Sequence, residues 1–468
     1  MKKIAFTLAL TFSVSLVWCQ QFSLYNSRTL YDSFENPSQK AFHTDSSRKF
    51  AFNFFIPTVS FNGRFSGPAE NNFKPLLYNN AIDGRNLTLG QNEMNTITAH
   101  TNTYMLMLKI FTSVDYDTEI GFSWQVRNDG RANVTNETLA IFDSYRLFAE
   151  QDQYTNIFNN HGYNQSYNQY SFTYREDFNE RLSLGLKLSL LSGITYNSLD
   201  IQQSLLRIRD DLDEFDVLLK GNFKSNVLDA DLNSGIINPT FTDPGLSVSL
   251  GGSYEFRDGW FLMGNLKDIG FIKWDKDSYH YELDNEIKID NGSLPSADER
   301  LEAGIENMLR VTRGTKEFTT MVNGKAEALL NKNFGNYRPN LILSKNLFYT
   351  GGHAALVNNY HVKNFVFTAT ADYNLDKYMQ IGGQAMIRTP NVEFFMGSDN
   401  LFKTLESSRS FLTETSEFSD GPSAASAYLG FSLKFGRMME HQANSNFIPG
   451  MNANHDRAGI FRRLFGRR

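Results

Sequence analysis

The amino-acid sequence predicts a transmembrane antiparallel β-barrel of about 14 strands, within a range of about 12 to 16. Phenylalanine and tyrosine, which favour strands and membrane interfaces, occur 40 and 21 times among 468 residues. After the N-terminus, no segment contains ~20 continuous apolar residues, as a membrane-spanning helix would require. Several segments instead alternate apolar and polar residues, which is the pattern of strands that face lipid on one side.

The clearest alternating strand covers residues 181–190. Leucines at every second position form one face, and Ser183, Gly185, Lys187 and Ser189 form the other. A soluble sheet can alternate over a few residues, but a long strand with a purely leucine face favours a tilted membrane strand. The same alternation occurs in four further segments, namely 119–127, 246–256, 365–373 and 428–435. The last of these ends at Phe435 and is predicted to close the barrel.

Weaker patterns supply the remaining strands. They lie near 49–62, 98–111, 166–176, 214–224, 260–267, 279–288, 317–330, 337–348, 353–360, 378–388 and 391–398. Tight turns are predicted at Asp115–Asp117, Asp177–Glu180, Arg257–Gly259 and Asn374–Lys377. Long polar regions at 129–165, 198–213, 276–316 and 399–424 are predicted to be loops outside the membrane. Strict up-and-down counting then places Arg257–Gly259 at the other end of the barrel from Asp177–Glu180, although both are short turns. This conflict disappears if a further strand lies within 225–244 or if one of the short turns faces outward.

The N-terminus has the features of a secretory signal peptide. Lys2 and Lys3 precede the apolar run Ile4–Val17, and cleavage is expected between Cys19 and Gln20. The predicted division is a signal peptide at 1–19, an N-terminal hatch at 20–48, the barrel at 49–435 and a basic periplasmic tail at 436–468. Cys19 is the single cysteine, so the mature chain would contain no disulfide or thiolate site. Export without a spanning helix predicts the outer membrane as the location.

Three short motifs resemble a known group of barrels. They are Tyr25–Phe42, which contains Asn36-Pro37, Leu266–Trp274 (LKDIGFIKW) and Met396–Leu401 (MGSDNL). Together they resemble an uncharacterised family of FadL-like outer-membrane barrels from Bacteroidota. The resemblance implies 14 strands, a hatch in the lumen that includes Asn36 and Pro37, and passage of hydrophobic molecules sideways into the bilayer. The chain departs from the family's Asn-Pro-Ala element at Ser38. An ordinary Asn-Pro turn before the first strand explains the first motif equally well.

The sequence gives little support for catalysis, and no enzyme activity or cofactor is expected. Its eight histidines are scattered, and no G-x-S-x-G, HExxH or P-loop motif is present. The acidic run Arg207–Asp216 could gather a calcium ion, although a solvated loop explains its charges more simply. Residues Ser296–Val311 have helical spacing and are predicted to cover the barrel mouth, with Leu301, Ile305 and Leu309 as the packed face. The net charge of -6 gives no argument for nucleic acid.

The C-terminal tail could contact a membrane or a partner. Its candidate contact residues are Phe461, Arg462, Arg463, Leu464 and Phe465, which would form a basic amphipathic helix. A frayed soluble tail is the simpler interpretation. Two functions remain open: a FadL-like channel for hydrophobic or small solutes, and a structural or partner subunit of an outer-membrane secretion, gliding or assembly machine. The expected partners are outer-membrane lipid together with a hydrophobic solute or an outer-membrane protein.

Overall fold

In a computed structural model of the chain, one closed antiparallel sheet contains all the described strands. The described residues are 22–42, 48–74, 84–113, 118–148, 150–226, 239–292, 294, 296–311, 314–413, 421–437, 460 and 461.

The strands are numbered in chain order. They are β1 (Arg48–Phe52), β2 (Thr58–Ser66), β3 (Met94–Ser113), β4 (Thr118–Thr135), β5 (Gln153–Thr155), β6 (His161–Asp177), β7 (Leu182–Arg209), β8 (Glu214–Ser225), β9 (Pro244–Glu255), β10 (Trp260–Trp274), β11 (Tyr279–Ile289), β12 (Phe318–Met321), β13 (Lys325–Lys332), β14 (Tyr337–Asn346), β15 (Gly352–Val362), β16 (Phe365–Asn374), β17 (Tyr378–Arg388), β18 (Val392–Ser398) and β19 (Ser423–Arg437). The α-helices are α1 (Leu30–Glu35), α2 (Glu70–Phe73), α3 (Asn136–Ile141), α4 (Ala297–Val311) and α5 (Leu401–Thr413).

These strands build a barrel wall of fourteen, as the sequence predicts. Strands β1 and β2 are two halves of the first wall strand, because both pair with β3 on one side and β19 on the other. Strands β12 and β13 share the next place beside β10 in the same way. The pairing of β1 and β2 with β19 closes the wall, so it has no free edge.

Side chains alternate between the two faces of the wall. The outward-facing Leu188, Leu250 and Phe367 are about half exposed, at 47%, 51% and 51%. Their inward-facing neighbours Lys187 and Ser249 are buried. A wall that is apolar outside and polar inside is suited to a bilayer, where lipid surrounds it and every backbone group must be paired. Among the described residues, no helix is both long and apolar enough to cross a membrane.

Short connections gather at one end of the barrel, hereafter the short-turn end. They join β6 to β7, β9 to β10, β13 to β14, β15 to β16 and β17 to β18. The predicted turns Asp177–Glu180 and Arg257–Gly259 both lie at this end. Strict counting along the predicted strands placed these two turns at opposite ends of the barrel. They lie at the same end because β7 pairs directly with β9 along its first half, while β8 takes no place in the wall. The predicted turn Asp115–Asp117 lies outside the described residues.

A separate lobe, hereafter the outer extension, stands at the opposite end of the barrel. Here the second half of β7 pairs with β5 and β8, and β8 pairs with β11. The prediction that 198–213 is a loop is therefore wrong, because β7 continues to Arg209. The lobe has its own hydrophobic core, in which Leu206, Phe215 and Leu283 pack with residues of α3 and α4. Of the predicted packed face of α4, Leu301 is buried in this core and Ile305 lies against it.

Candidate functional site

The N-terminal segment 22–42, hereafter the plug, lies inside the barrel. It begins with a 3₁₀ turn at Phe22–Leu24 and continues into α1, whose N-cap Thr29 accepts a hydrogen bond from the Asp32 backbone N–H. All six residues of α1 are buried. Apolar side chains such as Leu30 and Phe34 pack against inward-facing Tyr104 and neighbouring wall residues. The segment therefore fills the lumen at this level of the barrel.

The Asn-Pro motif follows α1 and contacts two glycines of the wall. Asn36 Oδ1 accepts hydrogen bonds from the Ser38 backbone N–H and hydroxyl at 2.9 and 2.8 Å, which tightens the turn. A Cβ atom on Gly185 would lie 2.1 Å from the Pro37 carbonyl carbon and oxygen. One on Gly251 would lie 2.5 Å from Asn36 Oδ1. Glycine is thus required in β7 and β9 for the plug backbone to approach this closely.

Glu35 is the centre of a buried ion cluster between plug and wall. Its carboxylate pairs with Lys267 of β10 and lies 3.4 Å from Arg127 of β4. It also accepts hydrogen bonds from the hydroxyl of Tyr104 at 2.6 Å and the amide of Asn102 at 2.8 Å. These contacts join the plug to three wall strands, β3, β4 and β10. Because charged groups removed from water require partners, this carboxylate strongly favours the docked position of the plug.

A β-bulge in β10 extends the cluster on the wall side. The register with β9 shifts between Leu266 and Ile269, and Asp268 adopts a left-handed conformation with φ 51°. Lys267 and Asp268 can therefore both face the lumen, although neighbouring strand residues normally point to opposite faces. Asp268 pairs with Arg127, and Lys187 Nζ of β7 lies 3.1 Å from the Asp268 carboxylate. This bulge is the LKD portion of the second sequence motif.

The two acidic side chains of α1 have opposite electrostatic environments. Burial alone would raise the pKa of Glu35, but Lys267 and Arg127 outweigh burial and hold that pKa well below its usual range. Burial raises the pKa of Asp32 to about 7, although backbone N–H groups, including that of Arg28 at 3.0 Å, partly stabilise its charged form. Glu35 is therefore a permanent charge, whereas Asp32 can titrate near neutral pH.

Two further wall carboxylates hold the end of the plug and the start of α1. Glu119 of β4, paired with Lys109, accepts hydrogen bonds from the backbone N–H groups of Ala41 and Phe42. Glu393 of β18 accepts one from the Leu30 N–H at 2.9 Å and pairs with Lys434 of β19 at 2.6 Å. The plug is thus held by charged and polar contacts around its perimeter, together with apolar contacts along α1.

Polar cavities remain on both sides of the plug. One lies towards the outer extension and is lined by residues that include His100, Arg131, His353 and Asp376. Another lies at the short-turn end and is lined by Ser27, Asn331 and other polar residues. His100 and His353 are each paired with a lumen carboxylate, Asp129 at 2.6 Å and Asp372 at 2.8 Å. The lumen consequently has polar surfaces at both ends, separated by the plug.

The remaining predicted site residues lie apart from this lumen. Phe461 packs its ring against outward-facing Tyr174 at 5.5 Å, and its backbone N–H donates to Glu176. It thus contacts its own barrel near the short-turn end, while Arg462, Arg463, Leu464 and Phe465 lie outside the described residues.

The acidic run Arg207–Asp216 forms the hairpin tip between β7 and β8, in the outer extension. There, Arg209 pairs with Glu214 and Asp216. Within the described ranges, no group of three or more His, Cys, Asp or Glu side chains is arranged to hold a metal ion.

Sequence reasoning identified Asn36 and Pro37 but missed the ion cluster. The missed residues are Glu35, Arg127, Lys187, Lys267 and Asp268. One signal was available: adjacent charges at Lys267-Asp268 interrupt the alternation of an otherwise regular strand. The third motif has a structural role, because Asn400 lies directly before α5 and its side chain donates to the Tyr378 hydroxyl.

The fold and this lumen define a closed fourteen-stranded β-barrel that contains its own N-terminal segment. The chain belongs to a family of unknown function, DUF5723, whose model matches residues 41–399. The match includes the second motif but begins after the Asn-Pro motif. No curated protein matches the chain.

Three solved structures resemble this chain at low sequence identity. A Pseudomonas aeruginosa FadL homologue is 9% identical, with a TM-score of 0.43 over 89% of this chain and 96% of that one. The toluene transporter TbuX of Ralstonia pickettii is 7% identical, with a TM-score of 0.38 over 87% and 94%. The toluene transporter TodX of Pseudomonas putida is 8% identical, with a TM-score of 0.37 over 84% and 89%.

Proposed function

We propose that the protein is an outer-membrane channel that its own N-terminal segment closes. The observation that carries this proposal is the ionic docking of the plug, in which Glu35 reaches Lys267 and Arg127 across the lumen. Such a contact can be broken and reformed, since the separated charges regain partners in water. The wall does not depend on the plug for closure, because β1 and β2 pair directly with β19. Movement of the plug would join the cavities on its two sides.

The lining of those cavities favours small polar solutes. Asparagine, arginine, histidine and serine side chains line the cavity at the short-turn end, and a similar set lines the one towards the outer extension. An apolar molecule would gain little from such surfaces, because it would displace water from polar groups that it cannot bond. The sequence left open a channel for hydrophobic solutes and one for small solutes. The polar lining of the lumen favours small solutes.

The chain offers a disulfide test of the closed state. The hydroxyls of Ser23 in the plug and Thr370 in β16 lie 2.9 Å apart, so cysteines at both positions should form a bond that locks the plug. A matched pair, Ser171 and Ser189, also lies 2.9 Å apart but joins β6 to β7 within the wall. The single native cysteine precedes the expected cleavage site, so no other thiol should compete.

The measurement is solute-driven swelling of liposomes that contain each purified double variant. Oxidation of the Ser23→Cys/Thr370→Cys protein should abolish swelling, and a reductant should restore it. Oxidation of the Ser171→Cys/Ser189→Cys protein should change nothing. Equal swelling of the locked and reduced plug variants would refute a channel that opens by plug movement.

A second candidate is sideways release of a hydrophobic solute, and one feature of the wall favours it. The ladder to β19 is interrupted between the pairs Phe52–Leu433 and Val59–Leu429. Across this gap Phe54 and Phe55 adopt left-handed conformations, with φ 51° and 57°, and are 45% and 65% exposed on the outside. Left-handed backbone is unfavourable for bulky residues and tends to mark functional sites. Transfer of an aromatic hydrocarbon into vesicles without swelling by polar solutes would favour this route.

A non-transport role as a subunit of an outer-membrane machine is the remaining alternative. It predicts a stoichiometric protein partner after purification of the tagged protein from outer membranes in mild detergent. Truncation before Phe461 should then release that partner. A barrel that purifies alone supports the channel instead.

A further inference from the structure

The cavity at the short-turn end has an unusual charge. It lies between plug and wall and encloses about 710 Å³ of non-protein space, including solvent at its mouth. Arg28 of the plug lines it together with Arg338 of β14, Arg388 of β17 and His361 of β15. Inward-facing neighbours such as Asn340 and Met386 confirm that Arg338 and Arg388 lie on the lumen face of their strands.

In the described part of the chain these arginines have no direct carboxylate partner, although Glu393 and Asp32 stabilise the charge of Arg388 at longer range. Within the described ranges, none of the three forms a salt bridge, and all are half-buried. Arg388 donates to the Ser27 carbonyl of the plug, and the Arg338 Nε group lies 3.4 Å from the Gly335 carbonyl. The carboxylate of Glu255 also lines the cavity, but it is exposed. The cavity therefore holds an excess of positive charge.

In the cavity towards the outer extension, by contrast, the arginine side chains are paired with a carboxylate. There Arg131 binds both carboxylate oxygens of Asp376 at 2.9 and 3.0 Å, and Arg64 lies 3.2 Å from the same carboxylate. Partly buried guanidinium groups are ordinarily paired in this way, because an unpaired charge loses hydration without compensation. The contrast indicates that the counter-charge of the short-turn cavity comes from outside the described part of the chain.

We infer that this cavity binds a phosphate group, held by Arg28, Arg338 and Arg388. A guanidinium group has a planar set of donors that matches phosphate oxygens, and three of them suit a doubly charged anion better than a carboxylate. Asparagines 26, 333 and 359 line the same cavity and offer amide donors for the remaining oxygens. Because Arg28 belongs to the plug and the other two arginines to the wall, the bound phosphate would also bridge plug and wall. The site lies on the solute path of the proposed channel, and a bound phosphate would hold the plug in its docked position.

The test is titration of the full-length protein in non-ionic detergent with inorganic phosphate, followed by calorimetry. Saturable binding is expected for the wild type, with a weakening of about tenfold or more in Arg338→Gln, the size expected for loss of one charge-assisted contact. Arg338→Lys keeps the charge and should retain part of the affinity. Arg181→Gln removes a cation from a turn at the same end and should bind as the wild type does. The thermal midpoint of each variant without phosphate shows that it is folded.

Two results would overturn the site: no saturable phosphate binding by the wild type, or equal affinities for the wild type and Arg338→Gln. Competition then identifies the source of the group. Displacement of phosphate by a short-chain phosphatidic acid at lower concentration would assign the site to a lipid headgroup. Failure of that lipid to compete would assign it to free phosphate.

Discussion

Glu35 of the plug and Lys267 of the wall form a buried ion pair between residues 232 positions apart in the sequence. The pair lies where α1 ends and where the bulge in β10 turns two consecutive charged residues towards the lumen. Both side chains are buried, with 7% and 5% of their surface exposed.

Removal of the Glu35 charge should loosen the plug. In Glu35→Gln, Lys267 loses its carboxylate and Arg127 keeps only Asp268, so we expect a loss of about 3–5 kcal/mol in the free energy of docking. Asp32→Asn is the matched control on the same helix, because burial already favours the neutral form of the Asp32 carboxyl. The control should change stability by less than about 1 kcal/mol. Protease cleavage within residues 22–42 measures docking, and equal cleavage of both variants would contradict the role of the ion pair.

The stability of the docked plug should depend on pH through Asp32. Burial raises the pKa of Asp32 to about 7 from 3.8, so the docked state binds a proton more tightly than the released state. The stabilisation that this proton gives is complete below the released-state pKa and is lost as pH rises towards and through the docked-state pKa. Glu35 stays charged in the docked state, and its ordinary pKa of 4.5 in the released state lies below most of this window, so its opposing contribution is small above about pH 5.

The corresponding measurement compares plug cleavage at about pH 5 and about pH 8, the two sides of the Asp32 pKa shift. Wild-type protein should be better protected at the lower pH. Asp32→Asn should reduce the difference between the two conditions. A difference that is unchanged in Asp32→Asn would assign the pH dependence to another group.

A methyl group on Gly185 should displace the plug. Its Cβ would lie 2.1 Å from the Pro37 carbonyl, a distance that backbone atoms must move to relieve. We expect Gly185→Ala to cost about 1–3 kcal/mol of docking free energy, as overpacking of a close contact does. Gly264→Ala in β10 is the control, because its Cβ would have no atom within 4 Å. Liposome swelling should rise in Gly185→Ala alone; if both variants behave alike, the close approach of plug and glycine is unimportant for closure.

The outward face of the wall should reject charge, whereas the outer extension should accept it. Leu188 on β7 is 47% exposed, and Leu212 at the tip of the extension is 57% exposed. Leu188→Lys should cost about 2–4 kcal/mol if that position lies near the bilayer midplane. Leu212→Lys should cost less than about 0.5 kcal/mol, as a solvated surface substitution does. Unfolding of each variant in vesicles measures the difference, and equal costs would contradict the assigned lipid-facing surface.

The wall could be predicted from sequence because its signal is local. A period of two residues reports which side chains face lipid, and this property holds strand by strand in β7, β9 and β16. The segments 214–224 and 279–288 are strands, as predicted, but the same period led to their being counted in the wall. Their strands β8 and β11 lie in the outer extension, where they also have one buried and one exposed face. Their exposed face is charged, as in the pairs Lys220–Asp284 and Lys288–Glu214, and this difference distinguishes a solvated sheet from a lipid-facing one.

The ion cluster depends on information that a single segment does not contain. Glu35 appears in the sequence as one acidic residue of a short helix, and Arg127 as one polar position of a strand. Their proximity follows only from barrel closure and from the bulge that turns Asp268 inward. The Asn-Pro motif was recognisable because its backbone requirement is local. Its contacts with glycines of β7 and β9 could not be predicted, because those residues are far away in the sequence.

Glu393 has a consequence for the order of assembly. It contacts Lys434 and Ser432 of β19 as well as the Leu30 backbone of the plug, so a single carboxylate joins the plug to the strand that seals the cylinder. That strand is synthesised after every other wall strand, whereas the plug is synthesised before them. Sealing and internal filling therefore share one anchoring residue.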